Sequence, residues 1–387
     1  MSIPLVSSTA ANAEGSQIIG TINGVIQSIN SQTLQVATSP TSLRNIVIGG
    51  DFNTNLWQRG TTFTAITNAT TYTADRFYAI GGASSSISVS KQTTSDPLGF
   101  GAKLRFGRAA ANADLTAITL NYIVASEDVF QMQGLPFVLS FYAQAGANFS
   151  AAANTLGITV TTGTTADEGN SAYNAGTWTG TAAVSLIGST GTAATGVTLT
   201  GTWARYAVAG VIPAAALEVG FTLKYTPVGT AGASDFFEVA GVQLEVAPQG
   251  GVQPTPFERR PLQLERQLQQ RYTQVISDAV SASSQQVIAQ GGMASSTTVA
   301  TIALPIAVPF RAVPVITYPT GAVGGLVFRN PLNTLSSTLV LTQALTSTAI
   351  SVTAQGTSTT PVLGAAAPVA LVTVGGGGTG ITMSAEL

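Results

Sequence analysis

The 387-residue chain predicts an all-β protein with a jelly-roll or β-sandwich middle domain, one short helix and a second, C-terminal β domain. Three observations predict it. Apolar residues recur in short strand-like runs between Asn45 and Val246, separated by Gly, Ser, Thr and Asn, as half-buried strands require. Only 8% of residues are Asp, Glu, Lys or Arg, where an ordinary soluble protein has about 25%. The sole concentration of charge falls at 255–272, between two β-rich segments, and reads as a helix.

Taken in order, strands are predicted at Ile46–Ile48, Arg76–Ile80, Ser86–Val89, Lys103–Phe106, Ala117–Ile123, Phe137–Ala143, Leu156–Val160, Ala204–Val211, Ala216–Tyr225 and Phe237–Leu244. The Gly- and Thr-rich stretch Thr161–Gly201 is predicted as one long loop, a kind that is usually functional or mobile. In the last strand, Val242, Leu244 and Val246 fall at period two, with Val239 a further apolar contact. Pro248, Pro254 and Pro256 then stop the sheet, because proline cannot donate to a ladder. Pro261 suits the first turn of a helix, and Leu264, Leu268 and Tyr272 follow at i, i+4 and i+8.

That narrow stripe has two readings, a three-fold contact at a trimer axis or docking on the chain's own sheet. Its narrowness favours a homotrimer, with Glu265, Arg266 and Arg271 in inter-chain pairs on the flank. Residues 277–286 read as the rest of the helix or a linker. Strands then follow at Thr298–Leu304, Val313–Tyr318, Leu339–Leu345, Ala349–Ala354 and Ala370–Val374, with a flexible turn at Gly375–Gly380. The predicted domains are 1–45, 46–250, 251–286 and 287–387.

Residues 1–45 form a small-residue arm with one apolar patch, Ile18, Ile19, Ile22, Val25, Ile26 and Ile29. The patch fits a helical stripe weakened by Gly20 and Gly24, or a hairpin with Ser31–Val36. Functionally it reads as a docking arm or as an ordinary hairpin.

Composition excludes whole classes of chemistry. There is no cysteine and no histidine, so disulfides, thiolates, zinc-cysteine sites and imidazole bases are all out. Net charge is −2 with no basic run, which argues against nucleic acid and anionic membranes as partners. Mean hydropathy is +0.34, yet no run of 18 apolar residues occurs, so no membrane insertion is expected. Nor does the N-terminal stretch have the basic and apolar regions of a signal peptide. Seventeen carboxylates leave a paired-carboxylate glycosidase as the one open enzyme class. Its candidates, Asp75, Asp96, Asp114, Glu127, Asp128, Asp167 and Glu168, sit in turn-like contexts that favour plain solvation. No catalysis is expected.

An ordered set of short motifs carries a resemblance. Gly50-Asp-Phe-Asn53, Trp57-Gln-Arg-Gly60, Tyr72-Thr-Ala-Asp-Arg-Phe-Tyr78 and Leu139-Ser-Phe-Tyr-Ala-Gln-Ala145 come first. Thr202-Trp-Ala-Arg-Tyr206, Phe237–Glu245, Pro256-Phe-Glu-Arg-Arg-Pro261, Gln270-Arg-Tyr272 and Ser384-Ala-Glu-Leu387 follow. In this order they resemble tailed-bacteriophage virion appendages of the tail-fibre or head-fibre type, whose middle domain is similar to carbohydrate-binding-module jelly rolls. The resemblance covers roughly 46–387. It implies a viral structural protein located on the virion, assembled as a homotrimer, contacting other capsid or tail proteins and binding host-surface polysaccharide. Alternatives are a capsid-decoration fibre with a stabilising role and a bacterial surface lectin module.

The resemblance also implies site residues. A structural calcium, the sole cofactor considered, would lie between the first and last strands on Asp51, Asn53, Asp235 and Glu238, although Asn53 replaces a carboxylate common there. Trp178 and Tyr173, in the long loop, are the predicted glycan-facing aromatics, whereas Trp57 and Trp203 read as core. Arg76 is expected to pair with Asp75 or Asp51.

Overall fold

The computed structural model describes residues 43–82, 87–93, 99–247, 251–276, 287–296, 299–317, 325–329, 339–347, 351–358, 368–374 and 381–386. The arm patch at 18–29, the stretch 277–286 and the turn 375–380 lie outside the described residues. The first strands are β1 (Thr62–Ile66), β2 (Thr71–Tyr72), β3 (Tyr78–Ile80), β4 (Ile87–Gln92), β5 (Lys103–Arg108), β6 (Ile118–Val124) and β7 (Pro136–Ala145). Next come β8 (Ala151–Gly163), β9 (Ala182–Ala183), β10 (Ile187–Gly188), β11 (Gly196–Thr198), β12 (Ala204–Val211), β13 (Glu218–Pro227) and β14 (Phe236–Val246). Helices are short: α1 (Ser126–Val129), α2 (Gly169–Ala175) and α3 (Leu262–Gln270).

Two antiparallel seven-stranded sheets result. One runs β1-β4-β5-β14-β7-β12-β10, and the other β11-β8-β13-β6-β3-β2 with β9 on β8. Period-two alternation decides what each strand buries. Leu104, Phe106, Phe141, Phe237 and Val239 of the first sheet share one core with Leu120, Tyr122, Leu156, Phe221 and Leu223 of the second. This is the predicted β-sandwich.

β14 holds a bulge that the bare pattern does not show. Its register to β7 shifts between Ala240 and Gln243, and Gly241 there has φ +58°. The extra residue restores phase, so Val239 and Val242 both point inward despite their odd spacing.

β5 pairs with only Phe236–Val239 of β14. Beyond the bulge the segment 45–50 takes its place. Ile46 N–H donates to Leu244 O at 2.8 Å, and Val242 N–H donates to Gly50 O at 2.8 Å. A Cβ on Gly50 would lie 2.3 Å from Val242 O, so the close approach requires glycine. The predicted strand Ile46–Ile48 is therefore irregular backbone, in a segment joined to β14 by these two backbone bonds and otherwise fixed by side chains.

The residues on either side are held largely by side chains from 258–269. The Glu258 carboxylate accepts from Leu43 N–H and, at 2.6 Å, from Asn45 N–H. Glu265 accepts from Gly49 N–H and pairs with Arg260 at 3.0 Å. Gln269, one turn on, accepts from Leu56 N–H at 2.7 Å and donates to Thr54 O at 3.1 Å. Glu265 and Gln269 are buried because they supply hydrogen bonds that a strand neighbour would otherwise give.

Two members of the helix stripe dock intramolecularly, which corrects the reading of Leu268 and Tyr272 as a trimer contact. Tyr272 is buried, and Leu268 packs beside it on Ile48, Tyr78, Ile123 and Ala125. Leu264 is half-buried. Glu265 is committed to Arg260 and Arg271 pairs with Glu127, so neither supplies the expected inter-chain pair.

The later strands are β15 (Thr273–Ile276), β16 (Val287–Ala294), β17 (Val299–Pro305), β18 (Val315–Thr317), β19 (Gly325–Arg329), β20 (Leu339–Ser347), β21 (Ser351–Ser358), β22 (Pro368–Val374) and β23 (Ile381–Ser384). Six form the sheet β19-β22-β16-β17-β21-β20, and three form β15-β23-β18. The small sheet carries 384–386 back to the sandwich, where Ala385 N–H donates to Tyr272 O at 2.7 Å.

There the buried Glu386 carboxylate pairs with Arg76 and, at 3.0 Å, with Arg59, and accepts from the Thr273 hydroxyl at 2.8 Å. Arg76 also donates to Ile123 O at 2.5 Å and lies 3.8 Å from the Tyr272 ring centroid. Its partner is thus Glu386, neither Asp75 nor Asp51. Burial pushes the Glu386 carboxyl up, but Arg76, Arg59 and Thr273 together hold it below the usual range.

Three expected outcomes follow from this packing. Leu268→Ala lowers unfolding stability by about 2 kcal/mol in denaturant titration and leaves the sedimentation coefficient unchanged. Glu386→Gln strands buried guanidinium charge and costs about 3–5 kcal/mol at neutral pH. Because the folded carboxyl titrates below its unfolded value, that gap closes as pH falls through the folded pKa. Asp75 behaves oppositely: burial pushes its carboxyl up to about 6, against the pull of Arg59 and the Gln58 N–H. Stability is then lost as pH rises from the unfolded value to about 6. Asp75→Asn keeps an acceptor for Gln58 and removes this cost, raising the thermal midpoint at pH 8 and leaving it unchanged at pH 3.

Candidate functional site

β10 covers only Val208 and Ala209 of β12. Among the described residues, the edge of β12 from Ala204 to Ala207 has no strand beside it on that side. A cleft of about 740 Å³ opens there, between this edge, the stretch Gly188–Thr198 and the segment Val252–Pro254. The far wall is held because the chain after β14 folds back over its own sheet. Thr255 N–H donates to Glu245 at 2.8 Å, and Glu258 N–H donates to Gln243 at 2.8 Å.

The lining is rich in hydroxyls, from Ser189, Thr190, Thr192, Thr195 and Thr198, together with Gln253, Arg205 and Tyr206. It contains no carboxylate. Alternation on β12 sends Tyr206 against the core and Arg205 to the outer face. Arg205 lies across the ladder from Tyr142 and its guanidinium sits 5.4 Å from that ring's centroid. It donates from Nη2 to Ser140 Oγ at 3.0 Å, and among the described residues it forms no ion pair. A second cavity of about 530 Å³ follows the same strands, with an apolar lining that includes Val184, Ile187, Val211 and Pro213.

The outer face of the first sheet carries further charge. Glu238 takes Arg105 at 2.7 Å, Lys103 at 3.5 Å and the Gln144 amide at 2.6 Å. Trp203, half-buried beside it, has Lys103 Nζ 5.5 Å from its ring centroid. Trp57, by contrast, is core, its Nε1 donating to Phe52 O at 2.9 Å.

The predicted glycan-facing pair is not at a surface. Trp178 is 2% exposed and Tyr173 8%. Their rings pack 4.8 Å apart, Trp178 Nε1 donates to Gly169 O at 3.1 Å, and the Tyr173 hydroxyl meets Thr222 Oγ1 at 2.8 Å. These two rings join a small core with Ile48, Tyr78, Ile123, Ala125 and Tyr272, and the stretch 161–201 is no loop but an extension of β8 followed by α2 and β9–β11.

Three of the four proposed calcium ligands are otherwise engaged. Asp235 pairs with Arg108 at 2.9 Å, both fully buried, and accepts from the Tyr225 hydroxyl. Glu238 lies in the network above. Asp51 caps its own turn, accepting from Thr54 N–H at 2.8 Å and from Asn53 N–H at 3.1 Å. Asn53 is exposed. No cluster of three or more acidic side chains suited to a metal occurs among the described residues. Of the glycosidase candidates, Asp96 lies outside the described residues, and the other six line neither cavity.

Arg205 and Tyr206 are the functional candidates that aromatic counting missed. The available signal was a lone arginine in mid-strand, within Trp203-Ala-Arg-Tyr206, in a chain that spends charge sparingly.

No protein-family model matches this chain, and no curated protein does. Solved structures similar to parts of it include the enzymatically active domain of tailspike protein 4 from bacteriophage CBA120, at 11% identity and a TM-score of 0.28. That likeness covers 53% of this chain and 22% of the tailspike. The N-terminal xylanase 10B modules of Clostridium thermocellum, a CBM22-1 and GH10 pair complexed with xylohexaose, match at 10% identity and a TM-score of 0.25, over 44% of this chain and 26% of that one. A structure entitled CBM4 structure and function matches at 16% identity and a TM-score of 0.24, over 38% and 71% of the two chains. None of these likenesses identifies a function.

Proposed function

We propose that this chain is a non-catalytic, glycan-binding structural protein of a phage virion, a fibre- or spike-type appendage that docks through residues 1–45. The observation that carries the binding reading is the cleft beside β12. Its 740 Å³ suits a short saccharide. Its hydroxyls, the Gln253 amide and the open strand edge offer donors and acceptors of the kind that read sugar hydroxyls. The lack of any carboxylate in the lining supports binding without hydrolysis, which would require an acid and a second carboxylate about 5–9.5 Å apart.

The virion assignment rests on the ordered motifs from Gly50 to Leu387. Most of them belong to one construction: Phe237–Glu245, Pro256–Pro261 and Gln270–Tyr272 supply the strand, clamp and ring that hold 43–58 and Arg76. Trimeric assembly multiplies weak sites into avidity, so each cleft need bind only loosely.

The test is binding of the full chain to immobilised host-surface polysaccharides, compared with a Thr195→Trp variant that fills the cleft from an exposed position. Saturable binding that falls at least tenfold in the variant is the expected result. Binding unaffected by Thr195→Trp moves the site elsewhere on the sandwich. Absence of binding to every polysaccharide overturns the glycan reading and leaves a stabilising role on the particle.

A further inference from the structure

We infer that the saccharide held in the β12 cleft is acidic, a uronic acid or other carboxylated sugar, with Arg205 as the residue that reads its carboxylate. This rests on the glycan reading above and specifies its ligand class.

Charge accounting is the first argument. This protein has few cations, and its buried ones are matched, Arg108 to Asp235, Arg76 to Glu386 and Lys103 to Glu238, as are the half-buried Arg59 to Glu386, Arg105 to Glu238 and Arg260 to Glu265. Arg205 differs. Like Arg44 and Lys91 it is half-buried and among the described residues meets no carboxylate at ion-pair distance, but unlike them it lines the 740 Å³ cleft. A half-desolvated guanidinium facing a carboxylate-free cleft makes that cleft locally positive in a chain whose net charge is −2.

Preorganisation is the second. The guanidinium is stationed over Tyr142, and Ser140 Oγ takes one of its Nη2 hydrogens. A guanidinium held at one nitrogen and stacked on a ring loses little freedom when its remaining N–H groups engage a planar carboxylate in a two-point contact. Neutral sugar hydroxyls can accept from it as well, but they return no charge.

Shape agrees. Arg205 belongs to one wall, while threonine hydroxyls and Gln253 come from the others, so ring hydroxyls and a carboxylate can be met together.

The experiment is calorimetric titration of the full chain with uronate-containing oligosaccharides and with the same oligosaccharides after reduction of each carboxylate to a primary alcohol. Each pair differs only at the carboxylate. The expected result is at least tenfold tighter binding of the acidic form, a preference that shrinks in 0.5 M salt. Arg205→Gln, which retains a donor for Ser140, should abolish the preference by bringing the acidic form's affinity down to that of the reduced form. Arg205→Lys, a point charge without the planar fork, should fall between. Unfolding midpoints of both variants establish that they are folded. Equal affinity for acidic and reduced forms, or a preference that survives Arg205→Gln, overturns the acidic assignment and leaves glycan binding standing. Failure of both forms to bind overturns the assignment together with the glycan reading.

Discussion

The Arg76 guanidinium is the constraint on which the rest of this structure depends. It is fully buried, and an isolated buried charge would be prohibitive, so the chain surrounds it with a carboxylate, a carbonyl and a ring. The carboxylate comes from Glu386, the carbonyl from Ile123 and the ring from Tyr272. Each belongs to a different part of the fold. Satisfying one side chain therefore fixes the exit of α3, the end of the β6 backbone and the return of the small three-stranded sheet at one point. Tyr272 does double duty, because the ring under Arg76 also anchors the helix whose Glu265 and Gln269 order the stretch before β1.

Most of the strands were legible, because the physics that sets them is local. Lys103–Phe106, Phe137–Ala143 and Ala204–Val211 are short apolar-rich runs between turn residues, and each became a strand within a few residues of expectation. What failed did so where distant partners decide. Ile46–Ile48 has strand-like residues, yet its backbone is satisfied one group at a time, by Leu244 O, the Asn45 amide, the Tyr122 hydroxyl and Arg260, rather than by a ladder. The stripe Leu264, Leu268, Tyr272 was correctly apolar, but stripe width alone does not say whether the facing surface is another chain or the same one. Val239 and Val242 looked out of phase until the Gly241 bulge put both in the core. In 161–201, glycine and threonine content suggested a loop, while two rings buried in a small core were mistaken for ligand contacts.

The candidate site was the least legible part. Aromatic residues attract attention as sugar platforms, but burial sorts them: Trp57 and Trp178 are structural, and their polar atoms are occupied. The cleft exists because β10 is two residues long and leaves the rest of the β12 edge uncovered. No residue pattern announces a strand that stops early. An arginine whose neighbours in sequence are Ala204 and Tyr206 becomes informative only when every nearby carboxylate is known to be engaged elsewhere.

The distance along the chain between Arg76 and Glu386 also orders events in time. They are 310 residues apart, and at a synthesis rate of roughly 5–20 residues per second the interval between making one and making the other is about 15–60 s. Throughout it, the sandwich strands can pair while Arg76 still lacks its counter-charge. Segment 43–58 waits in the same way for the helix that supplies its hydrogen bonds. Maturation of the sandwich is thus paced by the ribosome: the sheets can form early, and the stretch that seals them is secured only when the residues near 386 arrive.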